Sequence, residues 1–167
     1  VWRDPNSVGQ DCVFDARNRD KQCTDTQGDV TKTFFDSHNN VVKTTDALTK
    51  DTLCVFDGRD RKTSCTDRIS GVTAYTYDGN NNLLTLTDAQ SGATSYAYDV
   101  RNLLVEELFP GHSLPSNNER RAYTYDAAHR LKSRLDQNLD STTYTYDRIH
   151  RLTTRAYPDT LNDTFAY

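Results

Sequence analysis

Seven times along this chain an aromatic residue is followed by an aspartate, at Asp15, Asp36, Asp57, Asp78, Asp99, Asp126 and Asp147. The interval is 21 residues everywhere except between Asp99 and Asp126, where it is 27. A fixed period of this size marks a repeat architecture, in which one supersecondary unit is stacked on copies of itself because it cannot bury its apolar side alone. The long interval carries LFPGHSLPSNNER, residues 108–120, with two prolines and a glycine. That composition reads as an inserted loop near residues 108–121.

With the aspartate as origin, position −1 is Phe14, Phe35, Phe56, Tyr77, Tyr98, Tyr125, Tyr146 and finally Tyr167. Position −3 is Cys12, Thr33, Cys54, Tyr75, Tyr96, Tyr123, Tyr144 and Phe165. Side chains alternate along a strand, so these two positions share a face. Position +3 is Asn18, Asn39, Asp60, Asn81, Asn102, His129 and His150, the non-glycine types most enriched at positive φ. A left-handed residue here fits a hairpin turn, and the origin aspartate can accept from the backbone two residues on. A second strand follows, as in NNLLTLTD or HRLKSRLD, and a further aspartate often ends it at +10: Asp25, Asp46, Asp67, Asp88 and Asp136. Each unit therefore reads as one β-hairpin plus a connection, and the fold class is all-β, an array of about seven antiparallel hairpins over residues 1–167.

The four cysteines sharpen the register. Cys12 and Cys54 occupy −3, while Cys23 and Cys65 occupy +8. A turn between +1 and +4 sets −3 opposite +8, at a separation a disulfide spans. Thr33 and Thr44 fill the same two places in the second unit. The expected bonds are Cys12–Cys23 and Cys54–Cys65, each closing a loop of about a dozen residues and contributing roughly 3 kcal/mol on the chain-entropy estimate. Disulfides point to an oxidising compartment. Zinc is disfavoured because no Cys-x-x-Cys occurs, and no metal or cofactor is expected.

Only 35% of the residues are hydrophobic, and Asn, Asp and Thr abound, which suits strands and tight turns over a compact helical domain. The net charge of −4 has both signs interspersed, so no basic patch announces nucleic acid, and no apolar run approaches the roughly 20 residues of a membrane span. His129 and His150 are explained by the turn, His38 lies in another turn and His112 in the inserted loop, which leaves no candidate general base. Catalysis is not expected. Aspartates on successive hairpins lie about 10 Å apart, too far to share a calcium ion, so turn capping is favoured. The tyrosine row of Tyr75, Tyr96, Tyr123 and Tyr144 is read first as sheet packing, with glycan or protein binding on that face as the other reading. Asn162-Asp163-Thr164 matches a glycosylation sequon, of consequence only in a eukaryotic secreted protein.

Tyr-x-Tyr-Asp followed by x-x-Asn/His-Arg/Asn-Leu resembles the YD repeat of the Rhs family. AYTYDAAHRL (122–131) and TYTYDRIHRL (143–152) match it, with His129 and His150 where the family usually has glycine. The first three units resemble it less, because phenylalanine replaces tyrosine beside the aspartate. The resemblance implies a strip of hairpins that curls into a spiral or hollow shell, as in Rhs polymorphic toxins, the cocoon of Tc toxin complexes, wall-associated surface proteins and teneurins. The repeat phase places Asp4 at +10 of an absent origin and stops the chain one residue before another, so it is read as a segment of a longer array. About fourteen strands at about 4.8 Å make a strip of roughly 70 Å, too short to enclose a protein cargo. The expected role is structural and extracellular or at the cell surface: a β-sheet wall, spacer or self-associating fibre, with a toxin-shell segment and a glycan- or protein-binding module as alternatives. Self-association through open strand edges, or pairing with neighbouring repeats, is the expected partnership.

Overall fold

The computed structural model describes residues 10–90, 92–110, 120–159 and 162–167. Most of the expected inserted loop, the first nine residues with Asp4, and His112 lie outside these. The described residues are all-β, with fifteen strands and no helix, so none of them forms a helix long and apolar enough to cross a membrane. Within each compact unit sheet order is identical to chain order, and every described pairing is antiparallel.

The chain divides into two compact units, residues 1–75 with 88–90 and residues 76–87 with 91–167. The first holds β1 (Asp11–Phe14), β2 (Asp20–Thr24), β3 (Val30–Phe35), β4 (Val41–Thr45), β5 (Asp51–Phe56), β6 (Lys62–Thr66) and most of β7 (Val72–Tyr77). The second holds the end of β7, then β8 (Leu83–Thr87), β9 (Ala93–Tyr98), β10 (Leu104–Leu108), β11 (Arg120–Tyr125), β12 (Leu131–Leu135), β13 (Ser141–Tyr146), β14 (Leu152–Ala156) and β15 (Asn162–Thr164).

Register follows from one turn. Asn18 N–H donates to Asp15 O at 3.0 Å and Asp15 N–H to Arg19 O at 2.9 Å, with Asn18 at φ 58°. This is a type I turn closed by a left-handed residue, a geometry that matches the strand twist. One residue bulges on the returning strand: Val13 faces Gln22 but Phe14 faces Asp20, leaving Lys21 unpaired. The bulge recurs in every described hairpin of this class. It sets −3 opposite +8, as in Cys12 and Cys23, Thr33 and Thr44, and Cys54 and Cys65. Both disulfides are present, Cys12–Cys23 and Cys54–Cys65, with Cα atoms 4.1 Å apart in each.

The connections that begin at Asp25, Asp46, Asp67 and Asp136 repeat the same device. Thr49 N–H donates to Asp46 O and Ser70 N–H to Asp67 O, with Thr49, Ser70 and Leu139 at φ 60°, 69° and 66° and Gly28 at 89°. The +10 aspartates thus build turns as the origin aspartates do, and the array has two turned edges. Gly71 follows one of them. A Cβ there would stand 2.7 Å from Asp67 Oδ2 and 2.8 Å from Ala89 Cβ, so the space is already taken.

Burial is shallow throughout. No described hydrophobic residue is fully buried, and Thr142 alone falls to 6% exposure. The sheet has no second layer among the described residues, so each side chain meets neighbours only within its own face. The face carrying −1 and −3 is half-buried, while the −2 face leaves Val13, Phe34 and Val55 exposed.

Two consequences are measurable. A leucine at positive φ costs about 1–2 kcal/mol, and Leu139 is 45% exposed, so Leu139→Gly should raise the urea midpoint by about 1 kcal/mol of stability. A lower midpoint would mean that its side chain stabilises the turn by more than the strain. Both disulfides lie in the first unit. Reduction should therefore accelerate amide exchange over residues 10–75 and leave residues 92–159 unchanged. Uniform acceleration would show that the second unit depends on the same pins.

Candidate functional site

The origin aspartates gather more than their own turns. Asp15 Oδ1 accepts from the backbone N–H of Arg17 at 2.8 Å and of Arg19 at 3.1 Å, and Arg19 Nε donates to Asp15 Oδ2 at 2.7 Å. The same set recurs at Asp36 with Asn40, Asp126 with Arg130 and Asp147 with Arg151. At Asp99 position +4 is Leu103, and Arg101 at +2 supplies the side-chain donor instead at 2.8 Å. The Arg19 guanidinium holds Asp15 down to about 2, and Arg61 does the same to Asp57. Asp126 and Asp147 are lowered first by backbone N–H groups of Arg130 and Arg151.

Within each compact unit, one origin turn then reaches the next. Arg19 Nη1 donates to Asn39 Oδ1 at 2.8 Å, Asn40 Nδ2 to Asp60 Oδ1 at 2.8 Å, and Asn82 Nδ2 to Asn102 Oδ1 at 2.9 Å. His38 Nδ1 lies 2.9 Å from Asp60 Oδ1. Arg101 and Arg130 donate to the carbonyls of Asp126 and Asp147 at 3.1 and 3.3 Å. The +3 side chain therefore serves twice: it sits in the left-handed turn position and accepts from the turn before it. Glycine would supply only the first.

The same +4 arginines stack on the −1 ring of the following repeat. Arg19 lies 4.1 Å above Phe35, Arg130 4.7 Å above Tyr146, and Arg151 4.5 Å above Tyr167. Where −1 is tyrosine, its hydroxyl adds a bond to the preceding repeat: Tyr125 donates to Leu104 O at 2.8 Å and Tyr146 to Leu131 O at 2.9 Å. Burial raises the pKa of Tyr98, Tyr125 and Tyr146.

The tyrosine row named from the sequence occupies equivalent half-buried places. Tyr96 faces Glu107, Tyr123 faces Arg134 and Tyr144 faces Arg155, while Tyr75 lies on β7. Burial and the Glu107 carboxylate raise the Tyr123 pKa. Glu107 in turn pairs with Arg121 at 3.5 Å. The inter-turn ladder was missed from sequence, although an Arg or Asn at +4 in six of the seven repeats was visible there.

The geometry defines the class of protein: an array of repeated antiparallel hairpins linked through their turns. The RHS Repeat family model matches residues 77–113 and again 125–161, the two stretches that each begin at a −1 tyrosine. Solved structures of like fold include the TcdB2–TccC3 complex (17% identity, TM-score 0.71) and that complex without its hypervariable C-terminal region (16%, 0.72). A third is the Photorhabdus luminescens Tc holotoxin pore with a TccC3 mutation (18%, 0.70). Each match covers 93% of this chain and 10%, 9% and 9% of the other chain, in the order of TcdB2–TccC3, the pore and the truncated complex. At these identities the likeness establishes the fold. A search of curated protein sequences finds no match.

Removing one hydroxyl isolates the inter-repeat bond. Tyr125→Phe and Tyr146→Phe should each cost about 1 kcal/mol in urea unfolding. No change in either would show that water replaces the bond without loss. The depressed carboxylates set the acid limb. Asp15 and Asp57 ionise lower when folded than the roughly 3.9 of a free aspartate, so their stabilisation is complete above about pH 5 and is lost as pH falls toward about 2. The melting temperature should be flat above that range and fall below it, and the Asp15→Asn/Asp57→Asn double variant should show a shallower fall. An identical acid limb would assign it to other groups.

Proposed function

We propose that this chain is a length of structural wall in a secreted or cell-surface Rhs-type protein, adding hairpins to a larger β-sheet shell. The observation that carries this reading is the edge ladder. Every linked turn hands a hydrogen-bond donor, and in three cases a stacked guanidinium, to the turn that follows. Such an edge gains by continuation, and it needs neither a ligand nor a reacting group. The solved structures of like fold are Tc toxin assemblies, and this favours a shell segment over an isolated spacer or fibre. The disulfides suit a protein that matures outside a reducing cytosol.

Deletion of one whole period tests the wall. Removing residues 78–98 joins Tyr77 to Asp99 and preserves the Tyr-Asp junction and the phase of both edges. The shortened protein should stay folded and soluble, with a modestly lower melting point, and electron microscopy of the full-length parent should show a hollow or curved wall. Collapse of the shortened protein, or a solid globular parent, would overturn the proposal. A second reading, glycan or partner binding by Tyr75, Tyr96, Tyr123 and Tyr144, is supported by the surface these rings leave accessible. A glycan array with Tyr96→Ala and Tyr123→Ala beside the wild type decides it, and absence of specific binding removes it.

A further inference from the structure

We propose that the Cys12–Cys23 hairpin becomes a binding site for one thiophilic divalent cation of the zinc type when its disulfide is reduced. Cys12 Sγ, Cys23 Sγ and an Asp20 carboxylate oxygen all lie within 4.8 Å of one another. The bulge brings them together. Asp20 faces Phe14, Lys21 is left unpaired, and Cys23 faces Cys12. The extra residue puts Asp20 and Cys23, three apart, on one side of the strand, where regular alternation would put them on opposite sides.

Asp20 is out of place by the logic of the repeat. Position +5 is Val41, Leu83, Leu104, Leu131 and Leu152 in five other units. An acidic group interrupts that apolar position only beside this cysteine pair. Asp20 has no hydrogen-bond or ion-pair partner among the described residues, so its carboxylate is available to a ligand. The second cysteine hairpin is a natural control. It has the same register, with Cys54 facing Cys65, but position +5 is Lys62, a cation that opposes a metal.

The chemistry balances with an external dithiol as reductant. Its two sulphurs close into a disulfide while two electrons and two protons pass to Cys12 and Cys23, whose S–S bond breaks. The cation displaces the thiol protons to solvent and takes two thiolates and the Asp20 carboxylate, with water in the fourth position of a tetrahedron. The sulphurs must part to about 3.8 Å, the edge of such a tetrahedron at zinc–sulphur bonds of about 2.3 Å. The hairpin would thus exchange a covalent pin for a metal pin when it enters a reducing compartment.

Cobalt(II) titration of the full chain, reduced with a dithiol that is then removed without air, tests this by thiolate-to-metal absorption, and native mass spectrometry counts zinc. One cation per reduced chain is expected, and none per oxidised chain. Cys54→Ser/Cys65→Ser should retain the site, Cys12→Ser/Cys23→Ser should abolish it, and Asp20→Asn should weaken it at least about tenfold. Lys62→Asp in the chain lacking Cys12 and Cys23 should create an equivalent site in the other hairpin, a gain that fraying of the first hairpin cannot mimic. No cobalt spectrum from the reduced wild type, binding that survives Cys12→Ser/Cys23→Ser, or unchanged affinity in Asp20→Asn would overturn the proposal.

Discussion

A single carboxylate oxygen closes the aspartate turns of this array. Oδ1 of the turn aspartate accepts two backbone N–H groups, at +2 and +4, as at Asp15, Asp46, Asp67 and Asp136. Those groups would otherwise be orphaned at the bend, and leaving them unpaired costs more than the bond itself contributes. With the turn set, the left-handed residue and the bulge follow, and through them the facing of every strand. In a sheet with no second layer there is no core to correct an error of register, so register has to be specified at the turns.

The two edges use the same closure to different ends. At the origin edge Oδ2 binds the +4 side chain, which passes on to the next turn, and the +3 residues are Asn, Asp or His. At the opposite edge the +3 residues are Gly28, Thr49, Ser70 and Leu139, and the link between neighbouring turns that stands out is Arg68 to Asp46 at 3.5 Å. An edge that needs only a left-handed residue tolerates varied side chains there. An edge that also needs an acceptor restricts the choice to short polar groups. This difference accounts for Asn39, Asp60 and Asn102 standing where a glycine would be conformationally easier, and His150 Nδ1 lies 3.5 Å from Arg130 Nη1.

How much of this was legible in the sequence depended on the range of the interaction. The period, the hairpins, the left-handed +3 residues and both disulfides could be read, because each is set within one unit by a turn and by strand alternation. The opposite turns were legible only as strand ends. Thr49 and Leu139 are poor residues for positive φ, and nothing in their chemistry announces it. The ladder was not legible because Arg19 and Asn39 are twenty residues apart, and their contact depends on the offset between successive hairpins, which pairing within a hairpin does not determine. The same holds for the hydroxyl of Tyr146 and the carbonyl of Leu131.

The contrast between the units shows two answers to the lack of a core. In the first, −1 is phenylalanine at Phe14, Phe35 and Phe56, which cannot donate to the neighbouring repeat, and cysteine pairs hold β1 to β2 and β5 to β6. In the second, the tyrosines at −1 carry a bond from hairpin to hairpin, and no disulfide is present among the described residues. A disulfide strengthens a hairpin against its own opening but adds nothing to the joint with the next one. A tyrosine hydroxyl does the reverse. Where hairpins are pinned singly, the joints rest on the turn ladder and on contacts such as Arg19 over Phe35. Where the hydroxyls span the joints, cohesion spreads from hairpin to hairpin in the manner of nearest-neighbour repeat proteins, so a loss at one joint is felt first by its two neighbours.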